Sequence, residues 1–334
     1  MTNSDIPTLI ERFYHWEQTT PDRVFLRQPQ GDSWRELTYA QAGQEARKMV
    51  TALKQEGVKA GDHIGISSKN CTHWILADLA IMMSGCVSVP FYPSLPGDQL
   101  AEVIELADLK AIFVGKLEAW NDEHIKALSG DLITIKFPHY PGSPLITYGK
   151  DWDDVTQNVE PFSENYAPGL DDLWTIKFTS GTTGTPKGVM HVHRSPAMIM
   201  INEEKEDWIG IFRYREHRMF SFLPLNHVGE RIGVELPAIW MGGSLSFAES
   251  LDSFIQNIRD TQPTSIFAVP RIWTNFYLGV ISKIPEKRLN LLLSIPILSS
   301  LVKSKLKKEL GLGAIKIAGA GAAITPAFIK EFYR

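Results

Sequence analysis

The run Thr179-Ser180-Gly181-Thr182-Thr183-Gly184-Thr185-Pro186-Lys187-Gly188 constrains this chain more than any other stretch. Seven hydroxyl or glycine residues in a row precede a proline and a lysine. Such a main chain turns freely and comes close to a ligand, so its N–H groups and hydroxyls can converge on an anion. Lys187 adds a point charge suited to phosphate. Upstream, Leu173-Trp174-Thr175-Ile176-Lys177-Phe178 reads as a buried strand; downstream, Val189, His191 and His193 mark a second one. Gly/Ser/Thr clusters are usually plain surface loops. A plain loop does not need seven such residues ahead of Pro-Lys-Gly, so the segment predicts two strands joined by a loop that grips the phosphates of ATP.

The loop is not a Walker loop. That pattern places a glycine five residues after Gly181 and a Ser/Thr directly after the lysine. Here Pro186 and Gly188 hold those positions. A P-loop NTPase or kinase therefore fails on spacing. Gly-x-Gly-x-x-Gly is also absent from this run, so it does not support a dinucleotide fold.

Elsewhere strand and helix patterns alternate. Helices are predicted over 39–55, 74–83, 100–107, 230–240 and 251–260. Strands are predicted over 63–67, 86–91, 110–114, 132–136, 218–222, 244–247, 265–269 and 314–318. Such alternation predicts an α/β protein with parallel sheets, doubly wound by helices on both faces. At 334 residues the chain exceeds the roughly 250–300 that one core serves. A Pro/Gly/Asp/Asn-rich stretch over 137–169 reads as a connector between two subdomains, approximately 1–165 and 170–334.

The net charge of −4 gives no global argument for nucleic acid. Two cysteines, Cys71 and Cys86, are too few for a disulfide framework or a metal cluster, and no metal ligands are assigned. No uncharged apolar run reaches the ~20 residues that span a bilayer, and the first seven residues lack a signal-peptide core. The expected location is cytoplasmic. One feature points to a membrane surface: an apolar run over 289–301 is followed by Lys303, Lys305, Lys307 and Lys308. Basic residues beside an amphipathic segment can mark peripheral contact, although a solvated helix face is the commoner outcome.

The central loop resembles the signature of the adenylate-forming, AMP-binding superfamily: acyl-CoA synthetases, luciferases and peptide-synthetase adenylation domains. The resemblance extends along most of the chain. Leu37-Thr38-Tyr39, Gly57-Val58 with Gly61-Asp62, and Gly85 to Pro90 with Tyr92-Pro93 follow the family's order. Leu223-Pro224-Leu225-Asn226-His227 with Glu230-Arg231, and Val269-Pro270-Arg271, look most like the long-chain fatty acyl-CoA synthetase branch.

The resemblance implies a distorted β-barrel beside the doubly wound subdomains. It also implies ATP-dependent activation of a carboxylic acid, a fatty acid first, to acyl-AMP, then thioester formation with coenzyme A. ATP, Mg2+ and coenzyme A are the implied cofactors. Thr179, Ser180, Gly181, Thr182, Thr183, Gly184 and Lys187 would hold the nucleotide, with Thr182, Lys187 and His227 closest to the chemistry. Gly319, Ala320, Gly321, Ala322 and Ala323 resemble the family's Gly-Gly-Ala-Pro-Leu-type loop against the adenine, Ala323 standing for the proline. By themselves, five small residues after a strand more often make only a tight turn.

His227, Val228, Arg231, Val269, Pro270 and Arg271 would border the acyl pocket. His227 is expected to position the substrate, because a carboxylate nucleophile is already ionised near neutral pH. Arg231 stands where some bacterial relatives carry a gating tryptophan; it could pair with a substrate carboxylate or equally with a structural partner. Relatives continue well past residue 334, into a Tyr-Gly-x-Thr-Glu segment and a C-terminal domain with a catalytic lysine. The chain is therefore expected to be an incomplete N-terminal portion, inactive or weakly active alone, with small molecules as partners and a homodimer allowed. An adenylation domain serving a carrier protein and a truncated, non-catalytic nucleotide or acyl-binding module are the alternatives.

Overall fold

The computed structural model describes residues 6–179 and 186–333. Thirteen strands can be followed through them. They are β1 (Val24–Gln30), β2 (Ser33–Thr38), β3 (His63–Ser67), β4 (Val87–Phe91), β5 (Leu109–Val114), β6 (Ile133–Lys136), β7 (Lys150–Asp151), β8 (Leu173–Thr179), β9 (Lys187–Val192), β10 (Arg218–Ser221), β11 (Ser244–Phe247), β12 (Ser265–Ala268) and β13 (Ile317–Ala320).

Seven strands form one sheet in the order β7-β6-β5-β3-β4-β8-β9. Its pairs are parallel until β9, which runs antiparallel to β8. Parallel strands covered on both faces read as apolar runs; β4, Val-Ser-Val-Pro-Phe, is buried at every position. A second sheet runs β10-β11-β1-β2, and β12 and β13 form a parallel pair. Among the described residues none of these sheets closes on itself.

The helix Tyr39–Gln55 begins where the sequence sets it. Thr38 Oγ1 accepts from Gln41 N at 3.2 Å and Gln41 Oε1 accepts from Thr38 N at 2.9 Å, a reciprocal capping box. The helix Thr72–Met83 is buried on every side. It touches β1 of one large sheet and β3 and β4 of the other. An all-round apolar helix belongs between layers, and its one acid, Asp78, has to find a partner there.

Several expectations need correction. The sheets do not divide near residue 165: β8 and β9 complete the sheet begun by β3, while β1 and β2 join β10 and β11. The stretch 137–169 is not all connector, because it holds β7 and the helix Trp152–Thr156, whose Trp152 is buried. The helix expected over 230–240 starts at Val228, and Arg231–Glu235 forms a π turn before Leu236–Trp240. Pro237 has no N–H to bond the carbonyl four residues back, so the ladder ahead of it widens. β13 lies two to three residues later than expected, and Gly319 and Ala320 therefore belong to the strand.

No helix among the described residues is long and apolar enough to cross a membrane.

Candidate functional site

Four of the segments singled out in the sequence lead off the carboxyl ends of strands: 180–186 from β8, 222–227 from β10, 269–271 from β12 and 321–323 from β13. Carboxyl ends of parallel strands are where α/β proteins place their ligands. Thr179 and Lys187 face each other as the last pair of the β8–β9 ladder, both side chains exposed. They are the two feet of the hydroxyl-rich loop. Ser180, Gly181, Thr182, Thr183 and Gly184 lie outside the described residues.

On the other side, Ala268 pairs with Ala320, so the segment Val269, Pro270, Arg271 and the loop Gly321, Ala322, Ala323 start side by side. Trp273 Nε1 donates to the Gly319 carbonyl at 3.2 Å. A β-carbon at Gly319 would stand 2.4 Å from the Phe267 ring, so only glycine permits this approach. Ala322 holds φ 65°, a left-handed conformation that costs a residue with a β-carbon roughly 1–2 kcal/mol. Gly321, Ala322 and Ala323 are all exposed. A cavity of about 800 Å³ opens beside them, with Trp273, Leu306, Ala320 and Ala323 in its wall. Val269 is half-buried, Pro270 buried and Arg271 exposed.

The helical segment beginning at Val228 connects the strand ends. Glu230 reaches β10, Arg231 Nη1 donates to Thr175 Oγ1 of β8 at 3.4 Å, and Gly233 lies against Phe267 of β12. His227 caps this segment: its Nδ1 accepts from Gly229 N at 3.0 Å. A neutral ring so bonded carries its proton on Nε2. His227 and Val228 are both exposed.

Behind His227 lies a buried polar network that sequence reasoning missed. Asn70 Nδ2 donates to Ser221 Oγ (2.7 Å) and to the Leu223 carbonyl (2.6 Å), and Asn70 Oδ1 accepts from Leu225 N (3.1 Å). Ser221 Oγ donates to Glu230 Oε1 at 2.7 Å, which also accepts from Phe222 N at 3.0 Å. Asn70 thus ties the stretch before His227 to the far end of β3.

Glu230 Oε2 is buried without a partner among the described residues. Burial pushes the Glu230 carboxyl up to about 8, against the pull of Ser221 and the Phe222 N–H. Burial also lifts Glu235, to about 7. Between the ordinary value of 4.5 and these raised ones, the folded chain binds more protons than the unfolded chain. Stability contributed by these groups is complete below the ordinary value and lost as pH rises towards 8. Glu230→Gln keeps the acceptor for Ser221 and Phe222 and removes the titration. It should recover on the order of 2–4 kcal/mol of the decline between pH 5 and 8. Urea midpoints at several pH values read this directly; a decline as steep in the variant as in the parent protein would count against it.

Arg231 corrects an expectation. It is wholly buried, paired to Asp78 and, at 2.6 Å, to Glu235. Its guanidinium carbon lies 4.2 Å from the Trp174 ring centre and 5.3 Å from that of Trp74. With its donors spent inside the core, it is a structural ion-pair partner and does not line an acyl pocket. Lys177, on β8 two residues before Thr179, is also buried, and its Nζ has no partner among the described residues. Burial first, then the nearby Arg231, pull Lys177 down to about 7. Two acids, Asp78 and Glu235, and two bases, Arg231 and Lys177, thus share one buried cluster.

The family described as AMP-binding enzyme matches residues 13–334. The chain is 26% identical to long chain acyl-CoA synthetase 6, peroxisomal, of Arabidopsis thaliana, over 99% of its own length and 51% of that protein. It is 28% identical to fatty acyl-CoA synthetase A of Dictyostelium discoideum, over 93% of its length and 50% of that protein. It spans about half the length of the curated relatives it matches. Among solved structures, the A domain of carboxylic acid reductase from Segniliparus rugosus, in complex with AMP and a co-purified carboxylic acid, superposes with a TM-score of 0.76. Identity there is 21%, covering 98% of this chain and 58% of that one. That likeness concerns the fold.

Proposed function

The chain belongs to the AMP-binding enzyme family, and from that premise we propose that it carries the nucleotide loop and acyl-facing segments of an ATP-dependent carboxylate-activating ligase. A carboxylate oxygen, of a fatty acid first, attacks the α-phosphorus of ATP. The bond from that phosphorus to the bridging oxygen breaks, and pyrophosphate leaves with its electron pair. In the full-length enzyme the thiolate of coenzyme A then displaces AMP to give the thioester.

The observation that carries this reading is the Thr179–Lys187 pair, which sets a hydroxyl-rich loop and one exposed cation at the carboxyl end of β8. Pyrophosphate departure needs fixed positive charge and N–H or O–H donors where negative charge grows. Lys187 and the hydroxyls of Thr179, Ser180, Thr182 and Thr183 supply donors of that kind. The roughly 800 Å³ cavity beside Gly319, Ala320 and Ala323 has the volume of a small-molecule site; flat, small side chains there suit an adenine face. His227, with Nε2 as its donor, would orient the acyl head. Among the described residues no cluster of acidic, histidine or cysteine side chains is arranged for a metal. Mg2+ and coenzyme A are general for the family.

The test is acid-dependent exchange of labelled pyrophosphate into ATP by the full-length protein, across short, long and aromatic acids. A fatty acid should support exchange, with AMP as the nucleotide product and coenzyme A as the final acceptor. Exchange indifferent to the acid, or release of ADP, would overturn the reading. Transfer to a carrier-protein thiol in place of coenzyme A would move it to the adenylation-domain alternative.

A further inference from the structure

Two consecutive helices, Glu286–Ser294 and Pro296–Glu309, form a hairpin on the surface near β13. Its tip is apolar and bare. Leu291 is 64% exposed, Ile297 79% and Leu301 64%. Helical spacing sets Ile297, Leu301, Lys305 and Lys308 on one stripe, at i, i+4, i+8 and i+11, and Lys287 one turn before Leu291. Each stripe is thus apolar towards the turn and basic away from it. Between residues 283 and 309 there are seven Lys/Arg against two acidic residues, in a chain whose net charge is −4. The opposite side of the second helix sets Leu306, with Lys303 and Lys307, against the cavity beside β13, joined by Leu310 just past its end, so the stripe through Ile297 and Leu301 is a second, separate surface.

We propose that this hairpin is a docking element for an anionic lipid surface, its tip lying among the headgroups and upper acyl chains and its lysines among the lipid phosphates. Charge is the first argument: a locally cationic segment on an otherwise anionic chain is attracted to anionic lipid, and the effect fades with salt. Composition is the second. Protein interfaces take their energy from aromatic and arginine anchors and are depleted in lysine. Residues 284–309 contain no aromatic residue, and the stripe combines Leu and Ile with Lys. Length is the third: the second helix, 14 residues, is about 21 Å long at 1.5 Å per residue, long enough to set its tip into the surface and too short to cross a bilayer.

The proposal is independent of the catalytic reading and is tested by binding. The full-length protein is sedimented with phosphatidylcholine vesicles containing phosphatidylglycerol, and with phosphatidylcholine alone. Binding should be strong to the anionic vesicles at low salt and weak to the neutral ones or at high salt. Lys305→Glu with Lys308→Glu should lower partitioning roughly tenfold or more. Ile297→Ser with Leu301→Ser should lower it comparably, with circular dichroism and urea midpoint unchanged because both side chains are exposed. No binding to anionic vesicles, or both variant pairs binding as the parent does, would overturn the proposal. So would loss of self-association in the Ile297/Leu301 variant while vesicle binding persists, because the stripe would then be a surface between copies.

Discussion

Replacing Arg231 with methionine should cost the fold about 3–5 kcal/mol, the penalty for removing one partner from a buried ion cluster. Arg231, Asp78 and Glu235 are each 1% exposed or less. Without the guanidinium, Asp78 keeps the hydrogen bond that Ser88 Oγ donates to its Oδ1 at 2.6 Å, but Lys177 Nζ makes no direct bond to either acid. Arg231 also fills the space between Trp74 and Trp174, so methionine, which restores volume but no charge, isolates the electrostatic part. Two further measurements separate this account from a simple packing loss. The deficit should shrink as pH falls and Glu235, which burial lifts to about 7, takes up a proton. It should shrink as well when Asp78→Leu and Glu235→Leu are added, since a buried ionic group can be exchanged for apolar residues of like volume at little cost. A loss under about 1 kcal/mol by urea denaturation, a value typical of exposed pairs, would mean that the cluster is hydrated in solution.

The same cluster marks where local reading of the sequence ran out. The capping box at Thr38, the apolar runs of β3 to β5 and the strand on each side of the hydroxyl-rich loop are set by neighbours a few residues apart, and the pattern displays them. The partner of β1 is not local: Leu26 pairs with Leu245, over two hundred residues away, and nothing in either strand specifies the other. A division near residue 165 therefore looked natural, although the chain crosses between sheets. The position of Arg231, four residues after the exposed His227, suggests a surface residue. The clue to its burial lay elsewhere: Asp78 is the only acid in the apolar helix Thr-His-Trp-Ile-Leu-Ala-Asp-Leu-Ala-Ile-Met-Met, and Lys177 the only charge in Trp-Thr-Ile-Lys-Phe. Lone charges of opposite sign in two buried elements imply a shared ion cluster, because neither can be left unpaired in a core. Asn70 and Ser221 gave no such signal, since short polar side chains at strand ends are common.

Lys187→Ala should lower acid-dependent pyrophosphate exchange by about 10²–10³-fold, the range for deleting one preorganised donor from a site of developing charge. The geometry explains why the loss should be confined to chemistry and nucleotide binding. Lys187 is exposed, and its place in β9 is held by main-chain pairing with Thr179, which alanine keeps. Urea stability should stay within about 0.5 kcal/mol of the parent, as for other surface substitutions. Arginine at this position should restore only part of the rate, because its planar fork replaces a compact point charge. Two results would detach Lys187 from the nucleotide. One is exchange unchanged by the alanine substitution. The other is an equal loss in Lys187→Ala and in a lysine variant on the 283–309 hairpin, which would show that general surface charge matters more than the lysine at the foot of the hydroxyl-rich loop.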